Sequence, residues 1–310
     1  MSAITQTTER RKDLYPTRLR EEQWLPRQDR TVSSEWSTDA PLTEQQADQF
    51  DRDGFIVLKN LFSEEEVKAL TAESAALRNG ERKLEEGSVI TEPGSDEVRT
   101  VFKLPEQSPL FERLARDRRL AGIASFLLGD DVYYLQTRLN YKPGFTGKEF
   151  YWHSDFETWH AEDGMPHMRA VSASLLLTDN DALNGPLMLM PGSHKHFIAC
   201  AGETPEDNHK SSLKKQEVGV PSHEALTKLA SKHGITAATG KAGTLVLFDC
   251  NTMHGSNGNI TPFARSNAFF VFNAMSNQLD EPFGAKKPRP DFLAQRDEAE
   301  AVEVASGKLV

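Results

Sequence analysis

The second half of the chain is a series of short apolar segments with the character of β-strands. From residue 131 these segments read DVYYLQTRLNYK, RAVSASLLLTD, LMLMP, TLVLFD and NAFFVFNA, and turn-forming clusters such as DNDALNGP and PGSH separate them. Short β-branched and aromatic runs bounded by Gly, Pro and Asn are typical of antiparallel strands. One helical pattern, at about residues 222–233, interrupts this half. We therefore expect a mainly β fold with flanking helices, built as an antiparallel sandwich or barrel of the jelly-roll type.

Helical patterns dominate the first half of the chain, after a charged N-terminal segment that two prolines interrupt. They are predicted at four places: after the capping boxes that begin at Thr43 and Ser63, over residues 108–116 and over residues 118–128. Residues 1–40 contain few periodic apolar residues, so we expect an irregular segment packed on the core. We predict a single domain over residues 41–280 and a charged, extended C-terminal tail over residues 281–310.

The composition restricts the partners that the chain can bind. Its 36 Lys and Arg residues stand against 46 Asp and Glu residues, a formal charge of -10, and no basic stripe is present, so we expect no nucleic-acid binding. No apolar run is long enough to cross a bilayer, and the first residues lack the apolar middle of a secretory signal. We therefore predict a cytoplasmic protein without membrane contact. Cys200 and Cys250 are too few for a disulfide scaffold or a cysteine-built metal site.

A His-X-Asp pair and a distant histidine form the strongest candidate for a metal site. His153 and Asp155 are two positions apart, a spacing that puts both side chains on one face of a strand. His254 follows the strand pattern TLVLFD far downstream. Two imidazoles and one carboxylate form the facial triad that leaves coordination positions open on non-haem Fe(II). A catalytic zinc site is the closest alternative because it uses the same donors, whereas calcium and magnesium prefer oxygen ligands.

Further polar and aromatic side chains surround the predicted ligands. We expect seven of the polar ones to contact the ligands or face solvent rather than bind the metal: His160, His167, His194, His196, Glu157, Glu162 and Asp163. The aromatic residues Phe150, Trp152 and Trp159 are either core residues or an apolar wall for a cationic or zwitterionic substrate. Phe263, in the turn TPF, could serve as a movable cover.

An arginine eleven positions after His254 distinguishes between the possible chemistries. Arg265 begins the strand RSNAFFVFNA, on which Asn267, Phe269 and Asn273 share its face. An arginine that projects into a barrel near two histidines needs an anion, and its planar guanidinium fits a carboxylate bidentately. An acidic residue of the chain could supply an ordinary ion pair. We favour a 2-oxo acid that chelates the iron and places its far carboxylate on Arg265, because the three motifs occur in this order.

Polar residues occupy one face of the strand pattern DVYYLQTRLNYK. Gln136, Arg138 and Asn140 alternate with Leu135, Thr137 and other members of the second, mostly apolar face. This polar face either lies in solvent or lines a ligand cavity, where strand-borne donors would be held rigidly. The pattern alone favours neither alternative.

The stretch FYWHSDFETWHAEDGMP, residues 150–166, resembles the signature of the ectoine hydroxylases throughout its length. These enzymes are a subfamily of the Fe(II)/2-oxoglutarate-dependent dioxygenases of the phytanoyl-CoA hydroxylase type. The likeness extends from DLYPTR at residues 13–18 to the strand that ends near Asn273. It implies a double-stranded β-helix core, of the cupin-like jelly-roll class, with helices packed around it. It also implies a homodimer.

The same resemblance implies the roles of individual residues. The implied ligands of Fe(II) are His153, Asp155 and His254. The residues implied around 2-oxoglutarate are Arg265 as the anchor, with Phe150, Arg138, Asn140 and Ser172. The residues implied to contact ectoine are Gln136, Trp159, Phe263 and Asn267. The implied reaction consumes O2 and 2-oxoglutarate, hydroxylates ectoine to 5-hydroxyectoine and releases succinate and CO2. Two alternatives stay open: a related dioxygenase for another small amino acid or acyl substrate, and a non-catalytic jelly-roll binding protein.

Overall fold

The computed structural model describes residues 11–85, 87–91, 97–212, 216–297 and 299–310. Within these residues the helices are α1 (Glu44–Asp53), α2 (Glu64–Arg78), α3 (Leu104–Gln107), α4 (Pro109–Arg116), α5 (Ile123–Leu128), α6 (Asp155–Thr158), α7 (His209–Ser212) and α8 (His223–His233). The first strands are β1 (Gln23–Pro26), β2 (Phe55–Leu58), β3 (Val89–Thr91), β4 (Val98–Phe102), β5 (Val132–Lys142), β6 (Phe150–His153) and β7 (Ala170–Leu176). The remaining strands are β8 (Leu187–Leu189), β9 (His196–Ala199), β10 (Thr236–Ala237), β11 (Leu245–Asp249), β12 (His254–Ser256) and β13 (Arg265–Ala274). No helix among the described residues combines the length and apolarity needed to cross a membrane.

The strands form two main antiparallel sheets. The larger sheet has seven strands in the order β2-β11-β7-β13-β5-β4-β3, and the smaller has four in the order β10-β8-β12-β6. A separate two-stranded sheet joins β1 to β9. The two main sheets are the layers of a double-stranded β-helix, and the predicted mainly β, jelly-roll class with flanking helices is confirmed.

The two faces of the seven-stranded sheet bury different kinds of residue. One face belongs to the large apolar core that it shares with α1, α2, α4 and α5, and its members include Leu139, Val171, Leu247, Phe270 and Phe272. The opposite face carries the residues that alternate with these along β5, β7 and β13, many of which are polar. Because side chains alternate with a period of two, a shift by one residue would exchange the two sets. The apolar core therefore fixes the polar face on the inside of the β-helix.

Both predicted capping boxes are confirmed. The Thr43 side chain accepts from the backbone N–H of Gln46, whose side chain in turn accepts from the N–H of Thr43, and α1 begins at the next residue. Ser63 and Glu66 form the same reciprocal pair at the start of α2. Gly54 ends α1 in the left-handed conformation with φ of 79°, so that β2 can begin at once.

We expect Gly54→Ala to lower the free energy of unfolding by about 2–4 kcal/mol, from the left-handed backbone and the overpacking together. A Cβ atom at this position would lie 2.4 Å from Nδ1 of the buried His194. Gly80→Ala is the matched control because Gly80 also has a positive φ, 73°, but a Cβ there would meet nothing within 4 Å. Urea denaturation of both variants measures the difference, and equal losses would contradict the steric explanation.

Residues 11–40 are more ordered than the irregular segment expected there. Tyr15 is fully buried, and its hydroxyl donates to Asp29 at 2.8 Å. Strand β1 pairs with β9, a pairing that the sequence did not predict. The pairing depends on a tertiary contact. Four residues in a charged segment show no strand pattern in the sequence, and β1 makes its hydrogen bonds with β9.

The predicted helix over 118–128 is interrupted. Residues Arg118–Gly122 form a wide π-helical turn, and the regular helix covers only Ile123–Leu128. The turn begins at Asp117, whose carboxylate accepts from both the backbone and the side chain of Arg119. This local bond competes with regular helical hydrogen bonding and places a boundary that apolar periodicity does not record.

Candidate metal centre and active site

Two of the predicted ligands are cross-strand neighbours. His153, the last residue of β6, lies directly opposite His254, the first residue of β12, in the antiparallel four-stranded sheet. Side chains at directly opposite positions lie on one face of the sheet. The centroids of the two imidazole rings are 4.2 Å apart. The pairing of β6 with β12 thus brings together two histidines that are distant in sequence.

The expectation that Asp155 shares a strand with His153 is wrong. Strand β6 ends at His153, and Asp155 is the first residue of helix α6. The intervening Ser154 keeps extended backbone angles, φ -107° and ψ 131°, because it caps the helix and its hydroxyl accepts from the N–H of Glu157. One extended residue between the two side chains is enough to turn both toward the same side. Oδ1 of Asp155 lies 3.6 Å from Nε2 of His153.

The three side chains form a compact cluster suited to one metal ion. The second distance, from Asp155 Oδ1 to His254 Nε2, is 3.9 Å, and the three ligand atoms all lie within 4.8 Å of one another. Metal–ligand bonds of about 2.0–2.2 Å allow two ligand atoms to be up to about 4.4 Å apart. Both distances to the carboxylate therefore fit a shared ion. Among the described residues this is the cluster of His, Cys, Asp and Glu that could hold a metal.

Backbone carbonyls orient both imidazoles. Nδ1 of His153 lies 2.8 Å from the carbonyl oxygen of Tyr151, and Nδ1 of His254 lies 2.9 Å from that of Thr252. Since a carbonyl only accepts, each Nδ1 carries the proton and each Nε2 lone pair faces the cluster. This outer bond is the usual device that fixes the tautomer of a metal-binding histidine.

The protonation states in the cluster also suit a metal. Burial, and then the nearby His153, lowers the pKa of His254 to about 4, so this imidazole is neutral at neutral pH. Burial alone would raise the pKa of the Asp155 carboxyl. The neighbouring imidazoles of His254 and His153 lower it by more, so the pKa lies below its ordinary value. A neutral imidazole and an ionised carboxylate are the forms that bind metal.

A cavity opens beside the cluster, between the two main sheets. Gln136, Arg138 and Asn140 line it, so the polar face of β5 lies inside the β-helix and not in solvent. Nine of the twelve predicted site residues line this cavity: Gln136, Arg138, Asn140, Phe150, His153, Asp155, Trp159, His254 and Arg265. Strands from both sheets and the helical segment after β6 therefore supply one common site.

Arg265 has a buried guanidinium without an acidic partner. It is 8% exposed, and none of the ion pairs among the described residues includes it. Its Nη1 donates to Oδ1 of Asn267 at 3.0 Å, with the amide oriented to satisfy both groups, and its Nε has no hydrogen-bond partner. Burial lowers the pKa of Arg265 to about 10. An ordinary internal ion pair, the alternative left open by the sequence, is therefore absent from the described part of the chain.

Two predicted site residues lie behind the cavity wall. Ser172 is 1% exposed, and its Oγ lies 3.5 Å from Oδ2 of Asp155. Asn267 is fully buried and contacts Arg265. Both therefore touch a cavity residue through their side chains rather than facing the open space themselves.

Phe263 does not reach the cavity. It is 68% exposed in the turn before β13, where its carbonyl accepts from the Nδ2 group of Asn259. Phe269, on the cavity-facing side of β13, lines the space instead, and the guanidinium carbon of Arg138 lies 4.9 Å from the centre of its ring. The period of two that starts at Arg265 already puts Phe269 on the cavity face, so this residue could have been found from the sequence.

The seven further polar residues, four of which lie within the signature, are mostly buried in networks of their own. None of the seven belongs to the metal cluster. Glu157 accepts from Nε of Arg18 at 2.9 Å, and Glu162 accepts from the same guanidinium at 3.2 Å. His160 is fully buried between the carbonyl of Met165 and the carboxylate of Asp13. Of the two expected surroundings, solvent does not apply to these three residues, because Asp13 and Arg18 of the N-terminal segment contact them.

The C-terminal segment supplies cavity residues that sequence reasoning missed. Arg289 lines the cavity and forms a bidentate ion pair with Asp163, with an Nε–Oδ1 distance of 2.9 Å. Leu293, also a lining residue, accepts from Nε2 of Gln136 through its carbonyl at 2.7 Å. In sequence, the segment KKPRP resembles a charged tail. Only the structure, with the ion pair of Arg289 and Asp163, shows that this segment lines the cavity.

Comparison with known proteins agrees with this site. The family model of phytanoyl-CoA dioxygenase (PhyH) matches residues 50–267, which is more than half of the chain. The protein thus belongs to the phytanoyl-CoA dioxygenase family. A curated relative, the ectoine dioxygenase of Sphingopyxis alaskensis, is 58% identical over 299 residues, which cover 96% of this chain and 98% of the relative. Within the family, the chain belongs with the ectoine dioxygenases.

Solved structures of a relative also match this chain in fold and sequence. The crystal structure of EctD from S. alaskensis with 2-oxoglutarate and 5-hydroxyectoine matches with a TM-score of 0.89 and 54% identity, covering 96% of this chain and 100% of that one. The structure of EctD from the same organism with bound Fe matches with a TM-score of 0.88 and 53% identity, at the same coverage. The fold and the family are therefore shared over nearly the whole chain.

Proposed function

We propose that this protein is an Fe(II)- and 2-oxoglutarate-dependent dioxygenase that hydroxylates ectoine to 5-hydroxyectoine and releases succinate and CO2. The observation that carries the proposal is the joint presence, in one cavity, of the His153–Asp155–His254 cluster and the unpaired guanidinium of Arg265. The reaction needs a metal with open coordination positions and a receptor for a carboxylate. The cluster would supply the first, and Arg265 would supply the second. The names of the relatives, and the ligands in the relative's crystal structure, supply the substrate.

The donor set fits Fe(II). Two imidazole nitrogens and one carboxylate oxygen lie within 4.8 Å of one another, and all three residues line the cavity. This arrangement is the facial triad of non-haem Fe(II) oxygenases. A catalytic zinc ion accepts the same donors, and a requirement of turnover for O2 distinguishes the two metals. When bound, Fe(II) supplies the activation of O2 that couples decarboxylation of 2-oxoglutarate to hydroxylation of the substrate.

Arg265 is proposed to bind the far carboxylate of 2-oxoglutarate. A buried cation without a partner is unfavourable, and a carboxylate that enters the cavity would satisfy the free Nε–H and the remaining donors bidentately. Asn140 and Phe150 line the same space and would border the cosubstrate. Ser172 would act through Asp155, whose carboxylate its hydroxyl contacts. Arg138, held against Phe269, supplies a second positive charge.

The opposite part of the cavity is proposed to hold ectoine. The ring of Trp159 lines it and offers a π face to a delocalised cation such as the amidinium of ectoine. Gln136 is fixed at both ends, since Nε2 donates to the Leu293 carbonyl and Oε1 accepts from Arg138. Arg289 offers a guanidinium for the substrate carboxylate. Such fixed groups orient one ring methylene and exclude water from the reacting atoms.

Two of the predicted substrate contacts take modified roles in this proposal. Asn267 would act indirectly, because its carbonyl oxygen accepts from Arg265 and it is fully buried. Phe263 would contact ectoine only if its turn moves over the cavity mouth, since it is 68% exposed in this structure. We assign the direct aromatic contact on β13 to Phe269.

The decisive experiment combines spectroscopy with product analysis. Anaerobic addition of Fe(II) and 2-oxoglutarate is expected to give a weak visible charge-transfer band. Aerobic incubation with ectoine is then expected to give a product heavier by one oxygen atom, with succinate formed in equal amount. A chelator should abolish both signals. A band without product from ectoine would favour another small amino acid or acyl substrate, an absent band a non-catalytic binding protein, and turnover without O2 a zinc hydrolase.

We extend the proposal to the setting of the enzyme. The chain is expected to work in the cytoplasm as a homodimer and to make a compatible solute under osmotic stress. Its acidic net charge of -10 is compatible with a salt-rich interior, and the dimer follows from the family resemblance. Sedimentation equilibrium measures the mass in solution, and a single species at 34.6 kDa would contradict the dimer.

A further inference from the structure

A buried side-chain hydrogen bond joins the two chain segments that carry the metal cluster. Oγ of Ser154 donates to Oδ1 of Asn251 at 2.9 Å, and both residues are at most 5% exposed. Close by, the N–H of Phe156 donates to the carbonyl of Cys250 at 2.8 Å. The segment around residues 153–156 is thus tied to the turn that precedes His254, outside the cluster itself.

The position of Asp155 depends on such a hydrogen bond more than the positions of the two histidines do. The pairing of β6 with β12 holds His153 opposite His254, but Asp155 lies beyond the end of that ladder. Helix α6 has four residues and continues directly into a π-helical turn, Trp159–Asp163, and a helical segment of this length has little stability of its own. Ser154 lies between His153 and Asp155 in the chain, so a fixed Ser154 side chain also fixes the backbone position of Asp155.

Asn251 is itself held rigidly. Its Nδ2 group donates to the carbonyls of His194 and His196 at 2.9 and 3.0 Å. Its backbone N–H donates to Oδ1 of Asp249 at 2.8 Å. Every polar atom of the Asn251 side chain therefore has a partner, and a fully satisfied buried network restricts side-chain positions strongly.

An ion pair from the N-terminal segment anchors this network. Arg27 donates to both carboxylate oxygens of Asp249, at 2.7 and 2.9 Å, and both side chains are at most 6% exposed. The same guanidinium donates to the carbonyls of Met168 and Asp29 at 2.8 Å. A bidentate, buried pair of this kind fixes orientation as well as distance. The chain of contacts runs from Arg27 through Asp249 and Asn251 to Ser154.

We propose that Asn251, anchored by the Arg27–Asp249 ion pair, is a positioning residue of the metal centre that acts through Ser154 to place the Asp155 carboxylate. The inference rests on the proposed function, because it concerns the residues that would hold Fe(II). It assigns to the N-terminal segment a part in metal binding, although that segment contributes no ligand. Groups that orient metal ligands typically change metal affinity by about 10–100-fold when they are removed.

The test compares two buried serines that each cap a helix. Ser154→Ala removes the bond to Asn251 and the cap of α6, whereas Ser108→Ala removes the cap of α4 and a side-chain bond to Glu73, away from the cavity. Ser108 is 1% exposed, so the two sites are matched in burial. We expect both variants to lose a similar amount of melting temperature without metal. Ser154→Ala should bind Fe(II) about tenfold more weakly in anaerobic titrations, and Ser108→Ala with the parent affinity.

A double-mutant cycle shows whether Asn251 acts through Ser154. We expect Asn251→Ala to weaken Fe(II) binding to a similar degree, and the double variant to lose little more than either single one, because both remove the same bond. Parent-like affinity in Ser154→Ala, an equal loss in Ser108→Ala or additive losses in the cycle would each overturn the positioning role. If the parent protein binds no Fe(II), the proposed function itself fails, which separates the two conclusions.

Discussion

Replacement of Arg265 by alanine is expected to raise the KM for 2-oxoglutarate by at least about 30-fold, since loss of one partner from a buried, hydrogen-bonded charge pair costs about 2–5 kcal/mol. The affinity for Fe(II) should stay unchanged, because the guanidinium of Arg265 bonds to Asn267 and forms no ion pair with the cluster. Steady-state kinetics with varied 2-oxoglutarate, together with anaerobic Fe(II) titration, measures the two quantities separately. A normal KM would contradict the assignment of Arg265 as the carboxylate receptor.

The same substitution also has an expected sign on stability. Without cosubstrate the guanidinium is buried without an acidic partner, and burial lowers the pKa of Arg265 to about 10, so folding disfavours its charge. Arg265→Met, which keeps the volume and removes the charge, is therefore expected to raise the melting temperature of the metal-free protein. Arg82→Met is a suitable control, since Arg82 pairs with Glu73 at the surface. A fall in melting temperature for Arg265→Met would mean that a partner satisfies Arg265 in the free enzyme.

Loss of a cluster histidine should have the largest effect of all. We expect His254→Ala to bind Fe(II) more than about 100-fold more weakly, beyond the range for residues that only orient ligands, and to show no measurable turnover. His196→Ala is the control, because His196 lies outside the cluster and only its backbone carbonyl, which the substitution keeps, bonds to Asn251. Isothermal titration under anaerobic conditions, with succinate formation as the second readout, compares the variants. Parent-like metal affinity in His254→Ala would contradict the cluster as the metal centre.

Much of the local structure could be predicted from the sequence. The capping boxes at Thr43 and Ser63, the strand after Gly54 and the helix over 222–233 depend on hydrogen bonds and turn preferences within a few residues. These interactions are nearly the same whatever the rest of the chain does. The alternation along β5 likewise predicted two different faces.

The site could be predicted only in part. Spacing and order indicated His153, Asp155, His254 and Arg265 as candidates, but placed Asp155 on a strand that in fact ends before it. A cap at Ser154 is a weak local signal beside a run of strand-forming residues, and the tie to distant residues around position 250 has no local signal at all. Boundaries decided by such long-range bonds are not visible in periodicity.

The cavity wall contains the clearest differences. Phe263 and Phe269 are both aromatic and close in sequence, yet one is 68% exposed and the other 6%. Arg289 stands in a charged stretch that resembles a tail, and its role depends on Asp163, far away in the chain. Whether a residue lines a cavity depends on which segment covers it, and that is a property of two segments rather than one.

By itself the sequence determined the alternation of helices and strands, the mainly β class and the kinds of donor available for a metal and a carboxylate, because these follow from neighbouring residues and their chemistry. Only the tertiary structure decided that the polar face of β5 points inward, that β6 and β12 set two histidines side by side and that the segment around Arg289 lines the cavity. Those outcomes depend on burial and on pairing between distant segments. The local sequence pattern is compatible with several such pairings, and only the packing of the core selects one of them.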